Sequence, residues 1–116
     1  MPEPIIDQTI FANLKEMMGA DFIGELIDTF CEETPQLLSQ LRQSLAAQDA
    51  EAFRRTAHSL KSSSANFGAL KFSALAKELE MMGKEGDLAG AGPRVEKLAD
   101  QYILVQDALR ELQREP

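Results

Sequence analysis

Ile23, Leu26, Phe30, Thr34, Leu37, Leu41 and Leu45 follow one another at steps of three and four residues. That spacing keeps all seven on one face of an α-helix, and no stretch of the chain shows the alternation expected of a strand. Pro35 falls inside the stripe, where it removes a backbone donor and normally kinks or breaks a helix. Because the register carries across it, one long kinked helix is expected over about 21–47, with Asp21 as its cap. The alternative is a new helix with Thr34 as cap and Pro35 in first position.

The same period organises the rest of the chain. Asp7 is placed to cap a short first helix through Met18, with Ile10, Leu14 and Met17 or Met18 on one side and Gly19 ending it. Asp49 is the expected cap of a third helix reaching about Asn66, with Gly68 marking its end. Its stripe is Phe53, Ala57, Leu60, Ser64 and Phe67. A fourth helix over about 69–84 would bury Phe72, Leu75, Leu79 and Met82. Gly83, Gly86, Gly90 and Gly92 then break the chain before a last helix that Pro93 begins, with Val95, Leu98, Tyr102, Val105, Leu109 and Leu112 as its apolar positions. The expected fold is all-α: an up-down antiparallel four-helix bundle with a short N-terminal capping helix, residues 1–116 forming one domain.

Composition removes several classes of function. No apolar run approaches the ~18 residues of a membrane span, and Met1-Pro2-Glu3-Pro4 lacks the basic start of a signal peptide. The single Cys31 leaves no internal disulfide and fits a reducing cytoplasm. No Cys or His cluster has metal-ligand spacing. A net charge of −7 argues against nucleic acid as a partner. A cytoplasmic monomer with no cofactor of its own is the expectation.

The charge is unevenly placed. Residues 1–50 carry nine acids and two bases, whereas residues 51–116 carry ten of each. Between positions 52 and 77 stand Arg54, Arg55, Lys61, Lys71 and Lys77 with no acid. The only histidine, His58, lies in this basic stretch. On a helix it sits beside Arg54, Arg55, Lys61 and Ser62 and off the Phe53–Phe67 stripe. An exposed imidazole with cationic neighbours and small flanking side chains suits a group that takes up a phosphoryl from a docked partner.

These residues resemble the histidine-containing phosphotransfer domain of multistep two-component signalling. The resemblance rests on Ala57-His58, Leu60, Lys61, the small run Ser62-Ser63-Ser64-Ala65, and Gly68 ten positions after the histidine. The flanks agree as well: Gly19-Ala20-Asp21-Phe22, Phe30 with Glu33-Thr34-Pro35, Gln48-Asp49, Leu79-Glu80, and Gly86-Asp87-Leu88. One departure is Ser62, where the family usually has glycine; serine is still small, and its hydroxyl has a proton to offer a phosphoryl oxygen.

The resemblance implies a phosphorelay intermediate. His58 would accept a phosphoryl group from the aspartyl phosphate of a receiver domain and pass it to the aspartate of another receiver. It implies no autonomous kinase activity, and the chain has no Gly-rich nucleotide loop. Mg²⁺ is expected on the receiver, which belongs to a hybrid sensor kinase or a response regulator. A helical module that docks a receiver or kinase without being phosphorylated is the competing reading.

Within the site, Lys61 is the expected stabiliser of the phosphoryl charge, one turn along from His58. Glu80 is the candidate orienter: it lies eleven residues after Ala69, as His58 lies eleven before it, so an antiparallel helix pair would bring the two together; the alternative is a surface acid paired with Lys77 or Lys84 on its own helix. The family commonly has a hydrogen-bond acceptor there, often glutamine. For receiver docking, the first helix offers more apolar groups than one stripe needs, Phe11 and Met18 among them, with Ala65 as a small contact and Arg54 and Arg55 at the rim.

Overall fold

The computed structural model describes residues 4–114. Five helices follow one another: α1 Gln8–Met18, α2 Ala20–Ala46, α3 Ala50–Asn66, α4 Leu70–Glu85 and α5 Ala91–Arg114. Links of a few residues turn α2 into α3, α3 into α4 and α4 into α5, which makes neighbours antiparallel. α2 packs on α3 and α5, and α4 packs on the same two, so the four long helices close into a bundle; α1 lies against α2 and α3. This is the expected four-helix bundle with its capping helix. Its longest extent, 45 Å, is set by the 27 residues of α2.

Helix ends obey local chemistry in most places. The Asp7 carboxylate accepts from the Ile10 N–H, and Asp49 accepts from Ala52 N–H. Each cap stabilises its helix by about 1 kcal/mol. Asp21 does not cap α2: Gly19, at φ 87°, is the residue before the helix, and Asp21 sits within the first turn, where its charge meets the positive end of the helix dipole. α2 runs unbroken through Pro35, which is exposed. Phe30, Cys31 and Thr34 before it and Leu38 and Leu41 after it are all buried. The apolar surface they remove from water offsets the ~3 kcal/mol that an interior proline costs.

α5 also differs from expectation, since it starts at Ala91 and Pro93 is its third residue. Proline is tolerated there because the first-turn N–H groups have no partner within the helix. Gly83 is no breaker either, but lies inside α4.

The core runs along the bundle axis. The α3 stripe is buried in full, Phe53, Ala57, Leu60 and Ser64 at 0% exposure and Phe67 at 5%. Phe30 of α2, Phe67 of the α3–α4 turn, Phe72 of α4 and Tyr102 of α5 form an aromatic cluster, with ring centroids 5.3–6.5 Å apart. The Tyr102 hydroxyl donates to the Cys31 carbonyl at 3.0 Å, which satisfies the one polar atom the ring brings inside.

Candidate functional site

The α3–α4 interface is made of very small residues, and this decides what the site looks like. Ala57, Ser64 and Ala76 are fully buried there. A Cβ on Gly83 would meet the Cα, Cβ and N atoms of Arg54 at 2.9 Å, so only glycine allows the two backbones to approach so closely. Further along, the Ser73 hydroxyl donates to the Lys61 carbonyl at 3.1 Å. The pairs 54/83, 58/80 and 61/73 step outward in opposite directions from the turn at Gly68–Ala69, which fixes the register of the two helices.

That register sets Glu80 opposite His58. His58 Nδ1 lies 2.5 Å from Glu80 Oε2, and Lys61 Nζ donates to Glu80 Oε1 at 2.7 Å. One carboxylate thus engages an imidazole and an ammonium with its two oxygens. Glu80 is well covered, its side chain 13% exposed, whereas the imidazole is 55% exposed. The Lys61 hydrogen bond, with a smaller contribution from His58, holds the Glu80 carboxyl below its ordinary value even though burial pushes it up. An ionised carboxylate can only accept, so this contact is a hydrogen bond in the tautomer that carries its proton on Nδ1. Nε2 has no hydrogen-bond partner among the described residues.

Around the imidazole, Arg54, His58, Glu80, Met81 and Lys84 line an open depression of about 340 Å³. Arg54 is held by Glu51, one turn back on α3, through two hydrogen bonds. A larger hollow, about 530 Å³ between α2 and α3, has neither His58 nor Glu80 in its wall. Among the described residues no group of three or more His, Cys, Asp or Glu side chains is close enough to hold a metal ion.

The sequence-derived site residues fall into two sets. His58, Lys61 and Glu80 come together, and Arg54 joins them at the edge of the depression. Ser62 is exposed on the next turn of α3, and Ala65 is half-buried beyond it. Arg55 is exposed on the other side of His58 and borders the α2–α3 hollow. Met18 is exposed. Phe11 is not: at 5% exposure it belongs to the core, because α1 lies across α2 and α3 and turns that ring inward. Met17 and Phe22 are exposed with Met18 near the α1–α2 turn. Lys84 and Met81 also line the depression, although the sequence reading does not place them in the site. Both were within reach, since one turn from Glu80 leads to Lys84 and Met81 lies between them.

The family model of the Hpt domain matches residues 25–115. The chain belongs to the Hpt family. The matched segment takes in all the residues of the His58 site and four of the five helices almost whole. Among relatives of this Hpt protein is phosphorelay protein LuxU of Vibrio vulnificus, 30% identical over 104 residues and 90% of each chain. Among solved structures, the histidine-containing phosphotransfer protein B of Pseudomonas aeruginosa PAO1 superposes with a TM-score of 0.90 over 97% of each chain, at 32% identity.

Proposed function

We propose that His58 is the phosphoacceptor of this phosphorelay intermediate, and that Nε2 is the atom that forms the bond. The observation that carries this reading is the 2.5 Å contact between Nδ1 and Glu80. With Nδ1–H donated to a carboxylate, the lone pair of the ring lies on Nε2, on the side away from Glu80. In the transfer, the Nε2 lone pair attacks the phosphorus of a receiver's aspartyl phosphate, the P–O bond breaks, and its electron pair returns to the receiver's carboxylate. The receiver brings the acyl phosphate and its Mg²⁺; this chain brings a nucleophile and the groups that hold it.

Lys61, Arg54 and Ser62 are assigned to the phosphoryl group once it is on the ring. Lys61 reaches the site from the same helix, where its ammonium already meets Glu80 Oε1. Exposed pairs of this kind contribute ~0.2–1 kcal/mol, so these residues tune the relay rather than create it. The partners are receiver domains of a sensor kinase or response regulator. They dock over His58 on Met81 and the exposed Met18, with Arg54, Arg55 and Lys84 attracting an acidic rim. The protein works in the cytoplasm as a monomer and has no kinase activity of its own.

The test is incubation with a phosphorylated receiver domain followed by intact mass and acid treatment. The chain should gain one phosphoryl group that is lost in brief acid and retained in alkali, as for an N–P bond. His58→Gln should take up none while its helical signal stays unchanged. Labelling that persists in that variant would remove His58 from the mechanism.

A further inference from the structure

The groups that face the imidazole are of both signs. On α3, Arg54 lies one turn before His58 and Lys61 one turn after, with Arg55 beside them; from α4 come Glu80 and Lys84. Arg54 is already engaged by Glu51 and Lys61 by Glu80. Among the described residues only Glu80 hydrogen-bonds to the ring, and it does so at Nδ1, the atom that does not react in the proposed transfer. Glu80 itself has little freedom to leave, being covered and tied at its other oxygen to Lys61.

We propose that Glu80 holds the Nδ1 proton of His58 through the whole cycle of phosphoryl transfer, so that the phosphorylated ring stays an imidazolium and no proton moves in either half-reaction. The inference rests on the phosphoacceptor reading above. In loading, the neutral ring with its proton on Nδ1 gives its Nε2 lone pair to phosphorus and becomes cationic. In unloading, the N–P bond breaks, its electron pair returns to Nε2, and the ring is again neutral with the same proton on Nδ1. Had that proton been lost in between, the leaving group would be an imidazolate anion, and transfer would wait for the ring to be reprotonated.

The carboxylate provides what a neutral acceptor does not. A hydrogen bond to an ionised partner is roughly twice as strong as a neutral one, and a negative charge at Nδ1 favours the cationic ring against Arg54, Arg55, Lys61 and Lys84. The ionised state of Glu80, secured chiefly by Lys61, keeps this available down to acidic pH. Glu80 is thus a positioning residue whose charge, and not only its geometry, matters.

The experiment separates this from the parent reading. Wild type, Glu80→Gln and Glu80→Ala are loaded by the same phosphorylated receiver, purified, and mixed with fresh receiver between about pH 6 and about pH 9, a range that brackets imidazole titration. The ratio of the Glu80→Gln rate to the wild-type rate should fall by about tenfold or more across that range, as the variant ring loses its proton. Taking the ratio cancels the receiver's own pH dependence. In parallel, ¹⁵N-labelled phosphorylated wild type should show a proton-coupled Nδ1 resonance at about pH 8, and Glu80→Gln should not. Identical pH profiles for wild type and Glu80→Gln, or an unprotonated Nδ1 in phosphorylated wild type, would overturn the inference while leaving His58 as phosphoacceptor. A wild-type protein that takes no label at all would overturn the parent reading instead.

Discussion

Gly83 and Arg54 are in backbone contact across the α3–α4 interface, with no room for a side-chain carbon between them. This close approach lies next to the depression that holds His58, one turn from both His58 and Glu80.

Gly83→Ala should weaken the protein although alanine is the better helix former by about 1 kcal/mol. The added methyl would meet Arg54 backbone atoms at 2.9 Å, which have no flexible end to swing aside. Overpacking of this kind costs about 1–3 kcal/mol. Denaturant unfolding should show a lower midpoint, and phosphoryl uptake should slow as His58 and Glu80 are pushed apart. An unchanged midpoint with unchanged uptake would mean that the helices separate without cost.

Glu80→Ala should slow phosphorylation of His58 several-fold, and Glu80→Gln should recover much of the loss, since glutamine still accepts from Nδ1–H. The same substitution bears on acid stability. The folded carboxyl sits below its ordinary value of 4.5, so its pairing stabilises the fold in full above that value and is lost as pH falls through the lower folded one. Wild type should lose stability faster than Glu80→Ala below about pH 4.5; parallel acid arms would count against the interhelical link.

Tyr102 is the only tyrosine, and the chain has no tryptophan, so its ionisation can be followed alone by absorbance. Burial beside the Cys31 carbonyl raises the phenol to about 12. Its midpoint should stand well above 10, and this contribution to stability is present below 10 and lost as pH rises towards 12. Tyr102→Phe should cost about 1 kcal/mol, the net worth of one hydrogen bond to a buried carbonyl. A phenol that titrates at its ordinary value in the folded protein would show the hydroxyl to be solvated.

Met81→Glu should reduce the affinity of a phosphorylated receiver without changing the helical signal. It replaces an exposed apolar group in the wall of the depression with a charge that repels an acidic rim. The association rate of wild type should also fall as salt is raised, because Arg54, Arg55 and Lys84 act over a distance that ions screen. Amide shifts on receiver binding should cluster on α3 and α4 around His58; shifts confined to α5 would place the interface elsewhere.

Much of this was legible in the sequence, and the residues tell why. The α3 stripe could be read position by position because that helix buries one narrow face. Counting outward from Ala69 found Glu80, because a short turn between antiparallel helices leaves little freedom of register. The broader face of α2 was only half read. Ile27, Cys31 and Leu38 are as buried as Ile23 and Phe30, since α2 meets α1, α3 and α5 and no single stripe describes its contacts. Phe11 and Gly83 were misread for a common reason: whether an apolar ring meets core or solvent, and whether a glycine breaks a helix or admits a neighbour, depends on what lies across from it. Asp21 has the right chemistry for a cap, but the chain turns at Gly19 and draws it into the helix.

Every side chain in the wall of the His58 depression comes from positions 54 to 84, two consecutive helices and one tight turn. Such a hairpin closes a short loop, and local contacts of this kind form fast. The groups around His58 are thus brought together within one helix hairpin, with no side chain from the chain ends. α2 and α5 contribute apolar surface but no side chain to that wall. They support the hairpin through their buried stripes, while the hairpin carries the small residues, the carboxylate and the one histidine of the site.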